Sequence, residues 1–144
     1  MSECFLLGID SSDCSRRALS FACDRAKASD AELVVAYVIE WSPYTFNTPE
    51  ENEQRHKRRE EEIERAESSV LNPAIELIKS AGVDAKGIVR HGNVADVLTG
   101  LAAECDAHQI IVGRIGDSGL KSILFGSVTS KLIQHSDVPV TVVP

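Results

Sequence analysis

The strongest constraint on what this chain can fold into is a set of short apolar runs with no polar alternation. Cys4 to Ile9 reads CFLLGI, Leu33 to Ile39 reads LVVAYVI, Ile110 to Val112 reads IIV and Val138 to Val143 reads VPVTVV, with a weaker run from Ala85 to Val89. Such runs are expected of strands covered on both faces. Between them apolar residues recur at helical spacing: Ala18, Leu19, Ala22, Cys23 and Ala26, then Val94, Val97, Leu98, Leu101 and Ala102, then Val128, Leu132 and Ile133. Strands that alternate with helices need crossover connections, and crossovers give a parallel sheet with helices on both faces. The expectation is therefore an α/β fold, an open sheet of five parallel strands, in one domain spanning 1–144.

Local signals divide the chain further. Asp10, Ser11, Ser12 and Asp13 form a cluster suited to capping the first helix. Trp41 to Thr48 reads as a loop that holds much of the scarce aromatic content, with packing as the plain role and a flap or partner contact as the alternative. Thr48, Pro49 and Glu51 then spell a helix start. The tract Glu50 to Glu67 is a solvated helix with charges of opposite sign three or four apart. Asn72-Pro73 predicts a kink or break, and Gly82 a stop. His91 falls at a strand end and reads as a solvated turn histidine.

One stretch carries chemistry. Ile110 to Lys131, IIVGRIGDSGLKSILFGSVTSK, runs from a strand through Gly113, Arg114 and Gly116 to a loop closed by Gly126 and Ser127, where a helical pattern begins. Glycine lets backbone amides approach a bound oxygen, and a helix start adds unpaired N–H donors and a positive dipole end. Phosphate is the guest that this grammar suits. Read singly, Gly113 is equally an exit turn and Gly119 an ordinary loop glycine; Arg114 and Lys121 are equally solvated charges. The familiar G-x-x-x-x-G-K-S/T and G-x-G-x-x-G fingerprints are absent.

Composition narrows the partners. A formal net charge of −7 argues against nucleic acid and anionic membrane, whose binding draws on basic surface. No apolar run approaches the ~20 residues of a membrane span, and no leader pattern follows Met1, so the expected setting is cytoplasmic. Cys4, Cys14, Cys23 and Cys105 lack C-x-x-C spacing and sit in apolar segments, which favours reduced, buried thiols. No histidine has a metal grouping around it in sequence.

Gly113-x-x-Gly116, nine residues, then Gly126-Ser127 resembles the G-2x-G-9x-G-S/T motif of the ATP-binding branch of the universal stress protein family. The resemblance extends to the opening strand ending at Asp10, the second ending near Val38, the Gly92 turn and the closing VPVTVV strand. It implies a Rossmann-like sheet of order 3-2-1-4-5, with ATP as ligand and Mg carried on its phosphates. It further implies a homodimer paired through Val138–Val143, the expected edge strand. Carried over by position, Asp10 lies near the ribose or adenine, Val38 meets the adenine edge through its backbone, and Gly113, Gly116, Gly126 and Ser127 surround the phosphates. Ser11, Arg114, Val128 and Thr129 complete the candidate contacts. Two positions depart from the family pattern: His108 where Asp is usual, and Asn93 where Pro is frequent. They put helix ends and pairing partners in question.

Three functions compete on this reading. The first is a nucleotide-dependent regulatory module with little turnover and no catalytic residue. The second is a slow ATP hydrolase or nucleotidyl-transfer enzyme, for which the loop supplies only Asp117. The third is an adaptor domain with an empty loop. The thin catalytic inventory favours binding.

Overall fold

A computed structural model describes residues 3–40, 49–114 and 126–144. Five strands, β1 (Cys4–Ile9), β2 (Glu32–Ile39), β3 (Ala85–His91), β4 (Gln109–Gly113) and β5 (Val140–Val143), form one parallel sheet in the order β3-β2-β1-β4-β5. The helices are α1 (Asp13–Ser29), α2 (Pro49–Ala66), α3 (Asn72–Ser80), α4 (Val94–Glu104) and α5 (Ser127–His135). The expected architecture and strand order are both present.

Side chains alternate across each strand, so one apolar run feeds two cores. Phe5, Leu7, Leu33, Val35 and Ile111 pack under α1 and α3, with Ala18, Ala22 and Ile78. Leu6, Val34, Ala36, Ile110 and Val112 pack under α4 and α5, with Leu98, Leu101 and Leu132. That double burial is why β1, β2 and β4 lack polar alternation.

Several local expectations are corrected. Of the kink or break expected at Asn72-Pro73, the break is absent. Instead Glu67–Leu71 widens into a π-helical turn, and the Asn72 N–H donates to the Glu67 carbonyl. Pro73 has no N–H and its ring would collide with a carbonyl one turn back, so an added residue in that turn relieves both conflicts while the helix continues. β5 starts at Val140 rather than Val138. Pro139 has no N–H, the Val138 N–H is taken by Ser136 Oγ at 3.2 Å, and the Pro139 carbonyl instead accepts from Ile110 at 2.9 Å. β3 runs on to His91, which is no solvated turn residue: its Nε2 lies 3.2 Å from Glu62 Oε2 on α2, and its side chain is 14% exposed. Gly82, at φ +88, does end α3. Thr48, as the cap of α2, and the aromatic loop lie outside the described residues.

The two departures from the family pattern are satisfied locally. His108 Nδ1 accepts from the Cys4 N–H at 3.2 Å, an acceptor role that a carboxylate would also fill. Asn93 caps α4 by accepting from the Asp96 N–H at 3.2 Å. Cys4, Cys14 and Cys23 are buried and all four cysteines are free thiols. Burial pushes Cys4 up to about 11, with Glu32 adding to it, and also raises Cys23 and Cys105.

A candidate nucleotide cleft at the ends of β1 and β4

In a sheet of order β3-β2-β1-β4-β5 the winding reverses between β1 and β4, and the crevice beyond their carboxyl ends is the natural ligand position. The register Leu7 to Ile111 brings those two ends side by side. A cleft of about 440 Å³ opens there, within the range of small-molecule sites. The end of β1 and first turn of α1 contribute Asp10, Ser12 and Ser15. The end of β2 contributes Val38, Ile39 and Glu40, and α4 contributes Val94 and Leu98. Val112, Gly113 and Arg114 close it from β4, and Gly126, Ser127, Val128 and Thr129 from the start of α5.

Asp10, Val38, Gly113, Arg114, Gly126, Ser127, Val128 and Thr129 thus meet in one cavity, although more than a hundred positions separate the first from the last in sequence. Ser11 is exposed and does not line it. Gly116, Asp117, Gly119 and Lys121 lie outside the described residues.

Asp10 is built into the start of α1. Its Oδ1 accepts from the Ser12 N–H at 2.9 Å and from the Ser12 hydroxyl. Ser12 Oγ in turn accepts from the Ser15 N–H at 3.1 Å, which makes Ser12 the cap of α1. Ser15, 5% exposed, returns its hydroxyl oxygen to the Asp10 N–H at 2.9 Å. Asp10 is therefore both a cap partner and a cleft carboxylate, with its orientation fixed by two serines.

The glycines act differently from one another. Gly113 does not have positive φ; the positive-φ glycines among the described residues are Gly82 and Gly92. Its lack of a side chain is a packing requirement, because a Cβ would lie 2.9 Å from the Cys14 carbonyl carbon and Cβ. Gly126 is the N-cap of α5, with no side chain to satisfy the first-turn N–H groups, and among the described residues a Cβ there would meet only the Arg114 carbonyl at 3.8 Å. The first turn of a helix lacks internal partners for its amides. Ser127, Val128 and Thr129 form that first turn at the wall of the cleft, and no side chain among the described residues caps it.

One expected donor is unavailable. The Arg114 N–H donates to the Val143 carbonyl at 2.8 Å, so it belongs to the sheet and not to an anion cradle. The Arg114 side chain is exposed and makes no hydrogen bond or ion pair with another described residue. At this position the guanidinium, and not the amide, is the group left for a ligand to meet.

Ser12, Ser15, Glu40, Val94 and Leu98 line the cleft without having been identified from sequence. Ser15 sits within a helical repeat, and Val94 and Leu98 share the apolar stripe that builds the core. The available signal was position alone: each lies on the segment that follows a strand's carboxyl end. Among the described residues no group of three or more His, Cys, Asp or Glu could hold a metal, and no helix is long and apolar enough to cross a membrane.

Comparison with known proteins agrees with this geometry. The model of the universal stress protein family matches residues 1–144. The universal stress protein YxiE of Bacillus subtilis is 33% identical over 147 aligned positions, covering 96% of each chain. The structure of UspA from Lactobacillus plantarum superposes with a TM-score of 0.85 at 21% identity, over 99% of this chain and 97% of the other. A universal stress protein solved in complex with cAMP gives 0.71 at 26% identity, over 99% and 97%. A strand order, a crevice and a full-length sequence match all point the same way: this chain belongs to the universal stress protein family.

Proposed function

We propose that this protein binds an adenine nucleotide, ATP with Mg on its phosphates, in the cleft beyond β1 and β4. On this reading it acts in the cytoplasm as a homodimeric, nucleotide-dependent regulatory module of the stress response, with little or no turnover. The observation that carries this is the first turn of α5, Gly126 to Thr129, which no side chain among the described residues caps, sharing one cavity with Asp10 and Arg114. Those groups divide a nucleotide between them. The amides of α5 and the guanidinium take phosphate oxygens, Asp10 accepts from ribose hydroxyls, and Val38, Ile39, Val94 and Leu98 offer an apolar berth to the base.

The energetics suffice. Hydrogen bonds to a charged group contribute roughly 1.5–3 kcal/mol each and a helix end about 0.3–1 kcal/mol. Three or four such contacts with a packed base reach the ~8 kcal/mol of a micromolar ligand after ordering costs. The cAMP complex of a relative at 26% identity supports an adenylate as the class of guest.

The two sheet edges differ in a way that supports dimerisation through the last strand. β3 carries the exposed charges Lys86 and Arg90, which discourage edge pairing. β5, VTVV, carries no charge and its first three residues are only half-buried. Pairing with a second copy covers it. Thermal unfolding in the presence of Mg-ATP, ADP, AMP and cAMP tests the reading. A nucleotide at about a hundred times its Kd stabilises by roughly 2.7 kcal/mol, and no shift with any of them contradicts it.

A further inference from the structure

The end of β5 and the residue after it are fastened beside the cleft at two points. The Arg114 N–H donates to the Val143 carbonyl at 2.8 Å. Arg17 Nε donates to the Pro144 carbonyl at 2.8 Å, across 127 positions of sequence, and the same guanidinium reaches Cys14 Sγ through Nη2 at 2.9 Å. Cys14 in turn lies against Gly113 so closely that a Cβ at 113 would stand 3.0 Å or less from its backbone carbonyl. Gly113 and Arg114 line the cleft; Val143 closes the edge strand. Arg17 does not line the cleft, so its role is not contact with the ligand.

We infer that Arg17 is a positioning residue that couples occupancy of the cleft to pairing of two copies across β5. The inference rests on the proposed reading of the cleft as a nucleotide site and of β5 as the pairing edge. An anion drawn to the Arg114 side chain restrains the backbone whose N–H holds Val143. Arg17, rigidly forked, transmits the same restraint from the first turn of α1 to Pro144. A strand end already ordered loses less freedom on pairing, so nucleotide tightens the dimer, and by reciprocity the dimer tightens nucleotide binding. A lysine has one charged terminus and cannot hold the sulfur and the carbonyl in a fixed fork.

Sedimentation equilibrium of the full chain, Arg17→Ala and Arg17→Lys, each with and without Mg-ATP, tests this alongside calorimetric titration of Mg-ATP into the same samples. In the unsubstituted protein the dimer Kd is expected to fall about fivefold or more on nucleotide addition. In both variants the shift shrinks to within about twofold, while dilute, monomeric chains still bind Mg-ATP as tightly as before. Variants that keep the full shift overturn the coupling, as does an unsubstituted protein that binds Mg-ATP with no change in dimer Kd. Absence of binding heat in every sample instead overturns the nucleotide reading, and the coupling falls with it. Should Arg17→Ala lose its far-ultraviolet circular dichroism, Arg17→Lys decides alone.

Discussion

The backbone of Cys14 fills the space that a side chain at Gly113 would need: a Cβ there would stand 2.9 Å from the Cys14 carbonyl carbon and 3.0 Å from its oxygen. The first turn of α1 therefore rests directly on the end of β4. Because the obstacle is backbone, it cannot rotate away. Gly113→Ala is expected to destabilise the fold by about 1–3 kcal/mol, measured by urea unfolding. Stability within about 0.5 kcal/mol of the parent would show that the contact carries no weight.

Asp10 links the same helix start to the cleft through Ser12. Asp10→Ala leaves the Ser12 N–H without that acceptor and removes the cleft carboxylate. It is expected to cost about 0.5–2 kcal/mol in thermal or urea unfolding and to weaken nucleotide binding at least tenfold by calorimetry. Loss of stability with unchanged affinity would leave Asp10 as a cap alone.

The sequence revealed the sheet better than it revealed the reasons for its details. Apolar runs of β1, β2 and β4 announced double burial, because both cores draw on the same strands. Strand order did not follow from them, since an apolar run says nothing of its neighbours; it came from the family resemblance. Gly113 was legible as part of a ligand loop, yet its packing against Cys14 joins positions almost a hundred apart and leaves no local mark. The pairing of His91 with Glu62 is hidden for the same reason, and so is the capture of the Arg114 amide by Val143. Pro73 marked the disturbed helix correctly, but propensity could not distinguish a break from the π turn that replaces it.

Alkaline pH should weaken the fold through Cys4. Burial raises its folded pKa to about 11 from an ordinary value of 9.0, so the folded state holds a proton that the unfolded chain releases first. The contribution is complete below pH 9.0 and is lost as pH rises toward about 11. Between those limits the slope is about −1.4 kcal/mol per pH unit from this group, with Cys23 and Cys105 acting in the same sense. Urea unfolding across this window should show a shallower decline in Cys4→Ala; an equal decline would assign the effect elsewhere.

The dimer proposal concerns the uncharged β5 edge. Thr141→Lys introduces the kind of charge that β3 already carries and removes the hydrogen bond from Thr141 to Gln109 Oε1 at 2.8 Å. That bond is worth about 0.5–1.5 kcal/mol, so the chain stays folded. Sedimentation velocity at micromolar concentration should find the parent dimeric and Thr141→Lys monomeric. A parent monomer would remove β5 as a pairing edge.

The central claim is that amides at the start of α5, left uncapped by Gly126, hold the phosphates of a nucleotide. Isothermal titration of Mg-ATP into the unsubstituted protein and into Gly126→Val tests it most directly, since among the described residues only the Arg114 carbonyl at 3.8 Å approaches a Cβ at that position. The account predicts one nucleotide per chain with Kd on the order of micromolar, and no detectable binding in a Gly126→Val protein that remains folded. Equal affinity in the two proteins, or no heat in either, would contradict it.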